Sequence, residues 1–195
     1  MTTTLTTLPT ASEVATSAKA YYTALTEHPE FDHLRRSTWM YVDCWATHTG
    51  YTIICGWNMD KDKGPLFEEA IRVLCLKGAV HQLTGDVKLA ELLVPSPVDE
   101  MVHAIIAQAT LLSTMARDIG LVPVHMTENE EFGWTTGDIT DQYYRATWGE
   151  TPPKRYWIPA DEAARRLLEL KGRYESAGIN GLGRSHNLTF GVTAA

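Results

Sequence analysis

Apolar residues at Val98, Val102, Ile105, Ala109, Leu112, Ala116 and Ile119 keep three-and-four spacing without a miss. An α-helix lines such residues up as one buried stripe, whereas a strand would scatter them over both faces. The start and stop of this helix are written beside it. Ser96 is a capping residue, Pro97 suits a first helical position and Asp99 the third. Gly120 is a natural C-terminal cap. One long helix is therefore expected from Ser96 to Ile119, with the remaining chain packed around it.

Other segments follow the same period. Ser12 caps a helix to about Glu27, with Val14, Ala18, Tyr21, Tyr22 and Leu25 on its apolar face, and His28-Pro29 ends it. The stretch from Phe31 to Trp57 is crowded with aromatics. Its part from Ser37 to His48 reads as helix. Tyr51 to Cys55 is β-branched and suits a short strand as well; helix is favoured because the rest of the chain is helical. Pro65 opens a further helix through Leu66, Ala70, Val73, Leu74 and Lys77, with Gly78 closing it. Asp86 to Leu93 reads as a short helical turn, and Glu128 to Gly137 as a loop. Asp138 caps a helix to Trp148 that Gly149 stops. Thr151 to Pro159 is an irregular link, and Asp161 to Ser176 a last helix. The expectation is an all-α, single helical-bundle-like domain of about six helices over 12–176. It carries a disordered N-terminal tail over 1–11 and an irregular C-terminal tail over 177–195.

A formal net charge of -7 with scattered Lys and Arg argues against a nucleic-acid partner. The Thr-rich opening lacks the basic and apolar regions of a secretory signal, and no apolar run is long enough to span a membrane. The three cysteines, Cys44, Cys55 and Cys75, show no paired spacing, which suits buried free thiols in the cytoplasm. Gly181-Leu182-Gly183 is too short for a phosphate-binding loop.

The chemistry concentrates between Pro95 and His125. On a helix Asp99 lies four residues before His103 and Glu100 three before it, and both spacings bring the side chains together. A carboxylate beside an imidazole orients the ring and favours its protonated form. That is half of an acid/base pair or half of a metal site. Glu100 and His103 also form one Glu-x-x-His unit. A di-iron carboxylate bundle needs two such units and two further Glu residues, and the chain offers a single unit. One divalent metal held by His103, a carboxylate and His125 is the smaller alternative. His125 lies a helix length from His103, so the two meet only if the chain folds back. Capping and packing account for the same spacing without chemistry. Cys44 and His48, four apart, form one Cys/His pair, and without a second pair the spacing reads as local packing. His81 suits a helix C-terminus, and His28, His33 and His186 read as exposed. The six tryptophans suit a core or interface, or an aromatic pocket for an apolar ligand.

Three segments carry a resemblance. They are Pro95-Ser96-Pro97-Val98-Asp99-Glu100-Met101-Val102-His103, the turn from Gly120 to His125, and the run from Tyr144 to Pro152. Together they resemble small, uncharacterised actinobacterial proteins related to the helical part of glycine-rich domain-containing proteins. The likeness covers about half the chain, from Lys61 to Trp157. Val102 stands where those proteins have Trp, and Met126 where a second His often follows. The resemblance implies an all-α fold, an actinobacterial cytoplasm and a recurring set of Asp99, His103 and His125. It supplies no activity.

Three functional readings follow. In the first, the protein is a small tailoring enzyme of specialised metabolism. His103, tuned by Asp99 or Glu100 and assisted by His125, transfers a proton on a small apolar or aromatic substrate. In the second, it is a non-catalytic binding or interaction module, with Asp99 and His103 structural and a homodimer as one partner arrangement. In the third, it is a mononuclear metal protein using His103 and His125.

Overall fold

The computed structural model describes residues 7–45, 53–126, 133–181 and 185–187. The chain is mostly helical. Among the described residues the helices are α1 (Ala11–Thr26), α2 (Phe31–Trp45), α3 (Met59–Thr84), α4 (Val87–Ala90), α5 (Ser96–Ile106), α6 (Ala109–Ile119), α7 (Ile139–Trp148) and α8 (Ala160–Ser176). Two-residue strands β1 (Ile179–Asn180) and β2 (Ser185–His186) pair antiparallel. That pairing replaces irregular chain over part of 177–195. No helix among the described residues is long and apolar enough to cross a membrane.

Helix α3 is the centre of the fold. It packs against α1, α4 and α5, α1 also packs on α7, and α2 lies on α5. Leu66, Ile71, Val73, Leu74, Leu76 and Val80 of α3 are fully buried. Each such aliphatic side chain contributes about 1.5–3 kcal/mol on leaving water.

Its ends differ from the expected ones. The helix begins six residues before Pro65, because Asn58 caps it by accepting the Lys61 N–H at 3.1 Å, and the Asp62 carboxylate accepts the Asn58 N–H at 2.8 Å. Two orphan donors at the helix start are thereby satisfied. Gly78 does not close the helix. It lies inside it, and Gly85, at φ 66°, is the cap.

The expected single helix from Ser96 to Ile119 is two helices. Ala107 ends α5, and Gln108, at ψ 44°, leaves helical geometry before α6 begins. The Gln108 side chain donates to the Ala104 carbonyl at 3.3 Å, occupying an acceptor near the end of α5. Pro95, not Ser96, is the N-cap, and Ser96 is the first helical residue. Asp99 remains in the first turn.

Smaller corrections follow the same logic. Thr10 rather than Ser12 caps α1, in a reciprocal arrangement with Glu13. Tyr143 donates to the Pro9 carbonyl at 2.8 Å, tying that segment to α7. Helix α2 starts at Phe31 rather than Ser37. Of Tyr51 to Cys55, residues 51 and 52 lie outside the described residues, and the rest is a turn rather than a full helix. Cys75 is buried as expected, but Cys55 is exposed. His28 is also less open than expected, with a side chain 13% exposed and 3.7 Å from Asp118. The Cys44 and His48 side chains, and most of the Glu128 to Gly137 loop, lie outside the described residues.

Three buried charged side chains sit along α3: Asp62, Glu69 and Lys77. Each organises a polar cluster. Asp62 accepts from Arg155 Nε at 2.6 Å, Arg155 Nη2 at 2.8 Å and the Tyr156 hydroxyl at 3.0 Å. The Arg155 hydrogen bonds hold its carboxyl down at about 2, against the opposing effect of burial. Glu69 accepts from the Trp157 indole at 2.7 Å and the Tyr144 hydroxyl at 2.9 Å, with Arg72 at 3.4 Å. Burial nevertheless raises the Glu69 carboxyl above its ordinary range. Trp157 stacks edge-on against Trp134 and Tyr144. The third charge, Lys77, belongs to the site below.

Candidate functional site

Helix α5 places Asp99 and His103 one turn apart on the same face. Asp99 is almost wholly buried, whereas the His103 side chain keeps 35% of its exposure. His103 Nε2 lies 3.6 Å from Asp99 Oδ2. On its other side, His103 Nδ1 lies 3.8 Å from Oε2 of Glu100, which is at the rim. The sequence spacing anticipates this trio.

His125 joins it, which helical spacing alone does not reveal. Its ring centroid is 4.5 Å from that of His103, with the two planes at 72°. His125 Nδ1 lies 3.9 Å from Asp99 Oδ1. Asp99 therefore stands between the rings, one oxygen toward each. One ligand-capable atom from each of Asp99, His103 and His125 lies within 4.8 Å of the others.

The break at Ala107–Gln108 makes this meeting geometrically easy. In a straight helix His103 and Gly120 would be about 25 Å apart. The five residues from Gly120 to His125 reach about 17 Å when extended. The helix is broken between α5 and α6, and the chain after Gly120 brings His125 beside His103. Gly120 turns the chain at φ 71°, a conformation glycine adopts without strain. The Leu121 N–H bonds the Ala116 carbonyl at 2.9 Å, and the Tyr21 hydroxyl donates to the Gly120 carbonyl at 3.0 Å.

Gly78 receives the returning segment. A Cβ placed there would collide with the Leu121 side chain and sit 3.5 Å from the Val122 carbonyl oxygen. The missing side chain of α3 is thus the notch against which Leu121 and Val122 lie.

Two residues that the sequence reading did not assign to a site complete the surroundings. Lys77, next to the notch, is fully buried and paired with Glu91 Oε1. Glu91 Oε2 accepts the Met126 N–H at 2.9 Å, and Glu91 Oε1 lies 4.0 Å from His125 Nδ1. A signal for Lys77 was present: a lone charge inside the apolar run from Val73 to Val80. Glu91 gave none beyond its apolar neighbours Leu92 and Leu93.

An imidazole pair with one carboxylate suits divalent transition metals, and three protein ligands leave coordination positions open. The same groups without an ion suit proton transfer at His103, the more accessible ring. Comparison with protein-family models, curated proteins and solved structures finds no match for this chain.

Proposed function

We propose that this protein is a mononuclear metal-dependent enzyme, with one divalent transition-metal ion held by Asp99, His103 and His125. The observation that supports this reading is the convergence of one buried carboxylate and two imidazoles from two separate segments, with one atom of each within 4.8 Å of the others. Their separations of 3.6 and 3.9 Å exceed hydrogen-bond length. Each imidazole faces a different oxygen of Asp99, and a small side-chain adjustment would bring the three groups to the roughly 3.3–3.6 Å between donors that share a metal at about 2.0–2.2 Å.

The burial gradient favours a catalytic over a structural ion. Asp99 and His125 have side chains 3% and 7% exposed, whereas His103 opens toward solvent. A closed structural site would bury every ligand. A small substrate would reach the ion from the His103 side. When bound, the ion supplies Lewis acidity to a substrate oxygen or to water. Glu100, at the rim and 3.8 Å from His103, is placed to take a proton there. This places the tailoring chemistry expected at His103 on a metal centre rather than on the imidazole alone.

Metal content of tag-free protein, measured alongside His103→Ala, His125→Ala and Asp99→Asn, tests the reading. The expected result is about one divalent ion per chain in the wild type and marked loss in all three variants. A wild type that takes up neither zinc, cobalt, manganese nor ferrous iron at micromolar concentration would overturn it.

A further inference from the structure

The charges around the proposed ion differ in how far they reach toward solvent. Asp99 is almost wholly buried, whereas the Glu100 side chain stands at the rim and is 30% exposed. Behind them lies Lys77, whose side chain is 0% exposed and whose ammonium is paired with Glu91. Among the described residues, no other Lys or Arg forms an ion pair with Asp99, Glu100 or Glu91. Sites that take carboxylates or phosphate esters present a Lys or Arg to the ligand. Here the cation lies inside, and the charge at the mouth is negative.

A divalent ion would be balanced by Asp99 and Glu100, with both imidazoles neutral as ligands and the charges of Lys77 and Glu91 cancelling. The occupied site would then hold no excess positive charge to draw an anion in. Glu100 Oε2 lies 3.8 Å from His103 Nδ1, so a ligand entering on the His103 side would sit within about 8 Å of that carboxylate. A like charge at this distance weakens binding roughly tenfold, between the values for bulk water and for a pair near a protein surface. An uncharged ligand meets no such repulsion.

We infer that the site selects a small uncharged substrate over carboxylates and phosphate esters, and that Glu100 is the residue that sets this preference. The inference rests on the metal reading above and gives it a substrate class.

The test uses the cobalt(II) form of the full-length chain at about pH 8, where imidazole is mostly uncharged and acetate is an anion. Each ligand is titrated against the wild type and Glu100→Gln while the visible spectrum is followed. The variant is expected to bind acetate about tenfold more tightly than the wild type, and imidazole within about twofold of it. The gain for acetate should shrink at high salt. Glu100→Lys, which reverses the charge, should raise acetate affinity further. Unchanged acetate affinity in both variants, or an equal gain for both ligands, would overturn the inference and leave the metal site standing. A cobalt form whose spectrum neither ligand alters, in wild type or variants, would overturn it too. A wild type that binds no cobalt removes the metal reading and this inference together.

Discussion

Two buried polar centres, one on helix α3 and one on α5, look alike by composition and differ in spacing. Around Glu69, the Trp157 indole and the Tyr144 hydroxyl lie 2.7 and 2.9 Å from the carboxylate, so donors and acceptors satisfy one another. Around Asp99, the two imidazoles stand 3.6 and 3.9 Å from the carboxylate oxygens. Close spacing commits the polar groups to the fold itself. The wider spacing between these three groups leaves room for the ion proposed above. Burial alone does not separate the two cases, because Glu69 and Asp99 are both almost wholly hidden. The spacing between the side chains is where the two centres differ.

The comparison breaks first at His125. His125→Ala is expected to reduce metal affinity by more than the roughly 10–100-fold that outer-layer changes cost, with urea stability of the apo chain nearly unchanged. A large loss of apo stability without loss of metal would put His125 on the structural side. Glu69→Ala should behave in the opposite way. It leaves the Trp157 indole, the Tyr144 hydroxyl and Arg72 without their shared acceptor, at about 3 kcal/mol. Thermal unfolding should shift down by roughly 6–12 °C, and metal stoichiometry below that temperature should stay at the wild-type value.

Acid sharpens the contrast by about 2 kcal/mol at most. The Asp62 carboxyl is held at about 2 in the folded chain, below its ordinary 3.8. Its contribution is present above the ordinary value and is lost as pH falls from about 4 to about 2. Asp62→Asn should therefore flatten that part of the stability profile, and an unaltered profile would dismiss the Arg155 pairing as its source. The smallest effect is expected at the notch. Gly78→Ala forces the Leu121 side chain aside, costing about 1–2 kcal/mol, and should weaken metal binding because residues 121–126 move with it. Destabilisation with intact affinity would show that the segment adjusts without displacing His125.

How far the sequence discloses these centres depends on how local they are. Asp99, Glu100 and His103 share one helix turn, so their spacing was enough to bring them together. His125 was visible as a residue but not as a neighbour. The turn that delivers it, at Ala107–Gln108, has neither Gly nor Pro, and the apolar stripe runs through it undisturbed. Tertiary packing of α5 on α2 and α3, and of α6 on α1, decides where the rod divides. Pro65 and Gly78 misled in the opposite sense. Both resemble punctuation, but the Asn58 cap starts α3 earlier, and burial carries the helix through Gly78. Asp138 and Gly149 bound α7 as read, because the Asp138 side chain caps the Asp141 N–H and Gly149 takes the left-handed C-cap within the segment itself.

The notch at Gly78 also orders events in time. Helical segments such as the one joining Asp99 to His103 form within about a microsecond. The third member arrives only when a segment more than forty residues along the chain from Gly78 docks against it. The proposed ligand set is therefore complete only once that segment has docked, and it is absent from the unfolded chain. An ion that recognises the completed set acts as a latch on the finished molecule, adding stability that grows with its concentration.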